Sequence, residues 1–323
     1  MRVLIVTPAP SGSTKGNRIT AERWLGFLRS GGHDVQISNQ FVDGDFDCLI
    51  TLHATRSYDV IQRFRSRCPQ SPVVLCLTGT DVHLDLNGLR GEPANQKALA
   101  SIKQSSRIVL LEPESAKILP EASASKISVI FQSAKSLSSK PTPKSDVFEV
   151  CVVGHLREVK DPFLTSQASR LLPADSRIVV SHIGQALDAE MKRLAEEEMS
   201  RNPRYQWVGE LTHEQTQHCI ARARLMVLSS KAEGAPSVIS EAAVHGTPIL
   251  ATRIAATVGL LGSGYSGLFP VGDVHQLSIL MARAENDSDF YTELTNETIA
   301  VAKKFSPELE RKALEKLMVI VGR

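Results

Sequence analysis

The chain opens on Val3, Leu4, Ile5 and Val6, a short run of the kind buried on both faces of a parallel sheet. A Gly/Ser/Lys-rich stretch over 9–17 follows. Apolar residues then recur at helical spacing from about Thr20 to Ser30, until Gly31 and Gly32 supply a left-handed helix end. HDVQIS restarts a strand, which completes a β-loop-α-β unit. The alternation continues with a strand in DFDCLITLHA, a helix over 57–67, a strand in PVVLCL, a helix over 93–104, and strands in RIVLLE and SKISVIF. Residues 133–145 (SAKSLSSKPTPKS) have no apolar period and read as a linker. A second series begins with FEVCVVGHL and SRIVVSHIG. It continues with a helix over 187–199, the strand RYQWVGEL, a helix over 213–224, the strand LMVLSS, a helix over 236–245, and strands in TPILAT and GLFPV. Two helices close the chain, the last near 307–321. The pattern predicts an α/β chain of two Rossmann-like, doubly wound parallel sheets, one in residues 1–140 and one in 146–305, with 306–323 packing back on the first. In such sheets ligands bind outside the carboxyl ends of the strands, and two such ends facing each other would make an interdomain cleft.

Composition agrees and removes several classes. A chain of 323 residues has material for two cores. Lys plus Arg is 37 and Asp plus Glu is 35, so the basic excess that accompanies nucleic-acid or membrane-surface binding is missing. The cysteines, Cys48, Cys68, Cys76, Cys151 and Cys219, form no C-x-x-C pair and suggest neither zinc nor a disulfide framework. Cys48, Cys76 and Cys151 lie in apolar runs and read as small buried hydrophobes. The first residues are too short an apolar stretch for a signal peptide, and no apolar run reaches membrane-spanning length, so a cytoplasmic location is expected.

The segment richest in chemistry is EGAPSVISEAAVHGTP, residues 233–248, directly after LMVLSS. Pro236 suits a first helical position, where its missing N–H costs nothing. The N–H groups of Ser237 and Val238 would then face out of the helix start, approached through Gly234 and Ala235, and such a start is an anion site. Glu233 precedes it and Glu241 lies on the helix. Two carboxylates so spaced flank one ligand, as a sugar and a ribose on either side of a diphosphate would require. An ordinary strand-turn-helix with surface glutamates is the alternative. In SGSTKGNR (11–18), Gly12 and Gly16 permit close backbone approach, Asn17 adds a polar group, and Lys15 and Arg18 add charge, but the G-x-x-x-x-G-K-[ST] phosphate loop is absent. His53 and Arg56 follow a third strand end, and Thr78, Thr80 and Asp81 a fourth.

E-G-x-P-x-x-x-x-E-A followed by G-x-P resembles the donor-binding signature of the large retaining glycosyltransferase family with two Rossmann-like domains (GT-B fold, family 4 type). GHLREVK (154–160) resembles that family's G-R-L-x-x-x-K loop, WVGEL (207–211) the loop beside the nucleotide base, and LFPVGD (268–273) its L-x-V-P-x-G-D turn. The resemblance implies that Glu233 binds sugar hydroxyls, Glu241 the ribose, and Lys160 and Arg157 the diphosphate, with Leu211 beside the base. His155 stands where the family has Arg, and Arg157 takes over that role. The loop 11–18 would face the donor diphosphate through Gly12, Gly16 and Asn17, and the acceptor through Lys15 and Arg18. LTGTD resembles the family's H-G-T-D loop, with Thr78 in place of the His that contacts the donor sugar. This suggests altered acceptor chemistry, with Thr78, Thr80, Asp81, His53 and Arg56 on the acceptor side.

More narrowly, TPAPSGSTKGNRITAERW, LHATRS, LTGTD, GHLREVKDP and FPVGD resemble the selenosugar synthases of selenoneine biosynthesis. That resemblance implies a UDP-sugar donor (UDP-N-acetylglucosamine), selenophosphate as an anionic acceptor suited to Lys15, Arg18 and Arg56, a carbon–selenium bond in the product, and no metal. A glycosyltransferase with another small acceptor, a sugar-nucleotide epimerase or hydrolase, and a non-catalytic sensor remain alternatives. GSGYSG (262–267) is no dinucleotide fingerprint because LFP, no helix start, follows it. DGDFD (43–47) leads into a strand instead of ending one and reads as a turn.

Overall fold

The computed structural model describes residues 1–13 and 15–322. Contacts divide them into two units. The first comprises Met1–Ser133, Glu233–Ala235 and the segment from Ser306; the second comprises Ala134–Ala232 and Pro236–Phe305.

The first unit holds β1 (Arg2–Val6), α1 (Gly16–Ser30), β2 (Asp34–Ser38), β3 (Cys48–Leu52), α2 (Ala54–Arg67), β4 (Val73–Leu77), α3 (Glu92–Gln104), β5 (Arg107–Leu110) and β6 (Ile127–Val129). The six strands pair in the order β2-β1-β3-β4-β5-β6, all parallel. Parallel strands covered on both faces require continuous apolar runs, and every residue of β3 and β4 is buried. The second unit holds β7 (Phe148–Val153), α4 (Leu164–Arg170), β8 (Ile178–Ile183), α5 (Ala189–Arg201), β9 (Tyr205–Gly209), α6 (His213–Arg222), β10 (Leu225–Leu228), α7 (Ser237–Val244), β11 (Ile249–Thr252), α8 (Ala255–Leu261), β12 (Leu268–Phe269), α9 (Val274–Asn286) and α10 (Ser288–Ala302). Its sheet, also parallel, runs β12-β11-β10-β7-β8-β9. Residues 131–147 contain no helix or strand.

The last helix, α11 (Pro307–Val321), is counted with the first unit. Its Leu314, Leu317 and Met318 share a core with Trp24 and Leu28 of α1 and with Val3 and Ile5 of β1. Glu310 fixes its seat. The buried carboxylate accepts from Trp24 Nε1, Arg23 Nε and the Ser133 backbone N–H, each at 2.8 Å. A buried charge is tolerated when all its bonds are made in this way.

Several helix starts differ from the sequence pattern. α1 begins at Gly16 instead of Thr20, and α2 at Ala54 instead of Ser57. At α7 the Pro236 backbone is extended (φ −68°, ψ 113°), which places Pro236 just outside the helix and Ser237 first within it. The pattern also missed α4, α8, a π turn over Asp81–Asp85 and one of the three helices α9, α10 and α11, where it expected two. The first two are short, and the π turn is held by the contacts described below.

Candidate active site

In the first unit the polar residues gather after β1, β3 and β4. The loop leaving β1 turns with Ser13 N–H donating to the Pro10 carbonyl (3.2 Å) and Gly12 at φ +76°. Lys15 caps α1 with no side-chain capping bond, and Lys15 and Gly16 are exposed while Asn17 is half-buried. Arg18 departs from its expected role in part: it is buried, and its Nε donates to Glu22 at 2.6 Å on the same helix. His53 follows β3 at φ +78°, a strained conformation for a residue other than glycine. Its Nε2 lies 2.9 Å from Thr80 Oγ1. Burial pushes the His53 imidazole below its ordinary value, Asp81 opposes this, and the nearby Arg56 charge adds to the depression, so the ring is neutral at pH 7. Arg56 itself is exposed.

Asp81 does different work from that expected of it. It is fully buried, and its carboxylate accepts from Ala54 N–H (2.9 Å), Thr78 N–H (3.1 Å) and Gly79 N–H (2.7 Å). It thereby locks the start of α2 to the loop after β4 and sets the π turn that follows. Asp81→Ala leaves these buried N–H groups unpaired and is expected to cost about 3 kcal/mol or more of stability. A urea titration checks this; an unchanged midpoint contradicts it.

In the second unit the corresponding place is the exit of β7. The 154–161 loop is stapled at both ends. Gly154 N–H donates to the Ile183 carbonyl and Leu156 N–H to the Gln185 carbonyl, each at 2.9 Å. Ser229 Oγ, just past β10, donates to the carbonyls of Lys160 (3.1 Å) and Asp161 (2.9 Å). Lys231 N–H donates to the Val159 carbonyl at 2.8 Å. Glycine is required at 184, because a Cβ there would collide with the Gly154 carbonyl. Beneath the loop, His182 Nε2 meets the Gly154 carbonyl (3.1 Å) and its Nδ1 meets the Tyr205 hydroxyl (3.0 Å). The carbonyl can only accept, so Nε2 carries the proton and Nδ1 accepts from the phenol.

Burial holds the His182 imidazole down at about 4, against an ordinary value of 6.5. The unfolded chain takes up this proton as pH falls below 6.5 while the folded chain stays neutral, so stability is lost between pH 6.5 and 4. The expected loss from this group is about 3 kcal/mol. His182→Gln, neutral at every pH, is expected to lose about that much less than the parent between pH 7 and 4 in urea titrations. Identical pH slopes would contradict it.

The two expected diphosphate ligands sit on this loop, Arg157 exposed and Lys160 half-buried, with the Lys160 stem alongside Gly154. His155 Nδ1 accepts from Gln185 N–H at 3.2 Å. Burial depresses the His155 imidazole; Glu210 opposes this, and the charges of Arg157 and Lys160 depress it further, which places both cations within electrostatic reach of it. His155 therefore stays neutral, with its proton on Nε2. Gly154, Lys160, His182, Ser229 and Ser230 line one small cavity. The first turn of α7, with Ser237 and Val238, has no capping side chain and no acidic residue. Its free dipole end and the two cations are suited to an oxyanion. Glu241, on the same helix, is half-buried, and Leu211 lines a surface depression with Gln215, His218 and Cys219. Glu233, Gly234 and Ala235 are counted with the first unit, where Gly234 runs against Thr78 and Gly79 and Ala235 against the core. Sequence reasoning missed Ser229 and His182, whose partners come from elsewhere in the fold.

Two parallel six-stranded α/β domains, with polar loops after the carboxyl ends of their strands, are the GT-B fold. The same architecture is found in the Anabaena protein Alr3699/HepE crystallised with UDP (TM-score 0.79, 16% identity, covering 99% of this chain and 100% of that one). It recurs in a sucrose-phosphate synthase from Thermosynechococcus elongatus (TM-score 0.79, 14% identity, 99% of each chain). The family model of the glycosyl transferases group 1 matches residues 134–304, more than half of the sequence, and the chain belongs to that family. Among the described residues no helix is long and apolar enough to cross a membrane.

Proposed function

We propose that the chain transfers N-acetylglucosamine from its UDP-sugar to selenophosphate, forming a carbon–selenium bond. The donor half of this reading rests on family membership, on the cations and uncapped α7 start in the second unit, and on the HepE protein, which has been crystallised with UDP and with UDP-glucose. The acceptor half is carried by the resemblance of the phrases around 7–24, 77–81 and 154–162 to selenosugar synthases, together with exposed Lys15 and Arg56.

Selenium attacks the anomeric carbon with its lone pair as the bond from that carbon to the diphosphate oxygen breaks, and UDP leaves with the electron pair. Lys160, Arg157 and the α7 N–H groups stabilise the charge that develops on UDP. Glu233 orients the sugar and Glu241 the ribose, so the protein supplies position and charge with no side-chain nucleophile. Selenophosphate arrives ionised and needs no general base. Mass analysis of the product tests the proposal. An N-acetylglucosamine selenosugar supports it; free N-acetylglucosamine alone, or an epimerised donor, contradicts it.

A further inference from the structure

The peptide between Gly154 and His155 is clamped from the β8 side. Its carbonyl accepts from His182 Nε2 at 3.1 Å, and the other ring nitrogen of His182 accepts from the Tyr205 hydroxyl at 3.0 Å. Gly184 packs against the same peptide, so closely that a Cβ there would strike both the Gly154 carbonyl and the His155 nitrogen. Gly184 is in turn pinned from β9. Trp207 Nε1 donates to its carbonyl (2.7 Å), and its N–H donates to the Gly209 carbonyl (2.8 Å). An imidazole is costly to bury unless its nitrogens are paired, and here its one N–H goes to this peptide. Burial also keeps the ring neutral at pH 7, so its donor and acceptor nitrogens hold their roles. The peptide is trans, and a trans peptide sends its N–H the opposite way from its carbonyl. The His155 N–H therefore points away from β8, and β10 is the neighbour of β7 on that other side. Among the described residues nothing accepts from it. Gly154 and His182 share a small cavity with Lys160, Ser229 and Ser230, and no carboxylate lines it.

We propose that His182 is a positioning residue for the leaving group: by holding the Gly154 carbonyl it aims the His155 N–H, beside Lys160, at the diphosphate of the UDP-sugar. This rests on the reading of residues 154–160 as the diphosphate loop. The local chemistry selects an oxyanion, because an ammonium and an N–H with no bound acceptor adjoin a cavity that no carboxylate lines. A donor already held in place stabilises charge as it develops, with no reorganisation at the moment of reaction. His182 itself never touches the ligand. Tyr205 acts one step further out, since its donation to Nδ1 keeps the ring proton on Nε2.

The test compares UDP with uridine, which lacks the diphosphate. In NMR spectra of the full chain with isotope-labelled histidine, the His155 amide is assigned by its loss in His155→Gln. Its proton is expected to shift downfield on saturation with UDP and to stay in place with uridine. In binding titrations, His182→Leu is expected to hold UDP about tenfold more weakly than the parent, as for one hydrogen bond to a charged group, with uridine affinity unchanged. His182→Gln, whose amide N–H reaches toward the same carbonyl, is expected to recover most of the loss. An unmoved His155 amide in the UDP complex, or the same shift with uridine, overturns the inference, and neither result depends on His182→Leu folding. Full UDP affinity in folded His182→Leu overturns it too. Equal losses for UDP and uridine assign His182 a general structural role and also overturn it. A parent chain that binds neither ligand overturns the diphosphate reading itself.

Discussion

Lys160→Ala is expected to lower kcat for UDP release by about 10²–10³-fold, the range seen when one group facing a developing oxyanion is removed. The diphosphate gains charge as it leaves, so the interaction strengthens toward the transition state and its loss falls on kcat as well as on KM. The loop should survive the change. It is stapled through backbone groups, the Lys160 carbonyl to Ser229 Oγ and the Val159 carbonyl to Lys231 N–H, and none of these bonds uses the ammonium. The melting temperature should therefore stay close to that of the parent. Lys160→Arg keeps the charge with different geometry and should recover part of the rate. Coupled UDP-release kinetics with a thermal melt checks both variants against the parent, and near-parental kcat in folded Lys160→Ala removes the assignment.

Glu233→Gln is expected to cost about 10²-fold in kcat/KM, because a carboxylate accepting from sugar hydroxyls makes charge-assisted bonds that the amide replaces only weakly. Glu233 is half-buried and precedes α7, so the substitution leaves the core untouched. UDP alone, which lacks the sugar, should bind Glu233→Gln as it binds the parent. Equal loss of UDP affinity would move Glu233 from the sugar to the nucleotide.

Strands were the most legible part of the fold. VLIV, VVLCL, FEVCVV and LMVL are apolar runs with no helical period, and each lies in a buried parallel strand. Helix starts were less legible where distant groups decide them. α2 begins at Ala54 because Asp81, 27 residues away, accepts its N–H, and because His53 takes a positive φ that no local pattern announces. The engagement of Arg18 was readable in principle, since Glu22 lies one helical turn on. In the site, Lys160 and Glu233 stand in motifs whose spacing is visible in the chain. His182 does not, because a ring wedged under the Gly154 carbonyl exists only once the chain has folded.

The most direct measurement is UDP release from UDP-N-acetylglucosamine by the parent protein, with and without selenophosphate. The account predicts release that depends on selenophosphate, matched one for one by a selenium-bearing sugar. Equal release in its absence would contradict transfer to that acceptor and make the chain a hydrolase or epimerase.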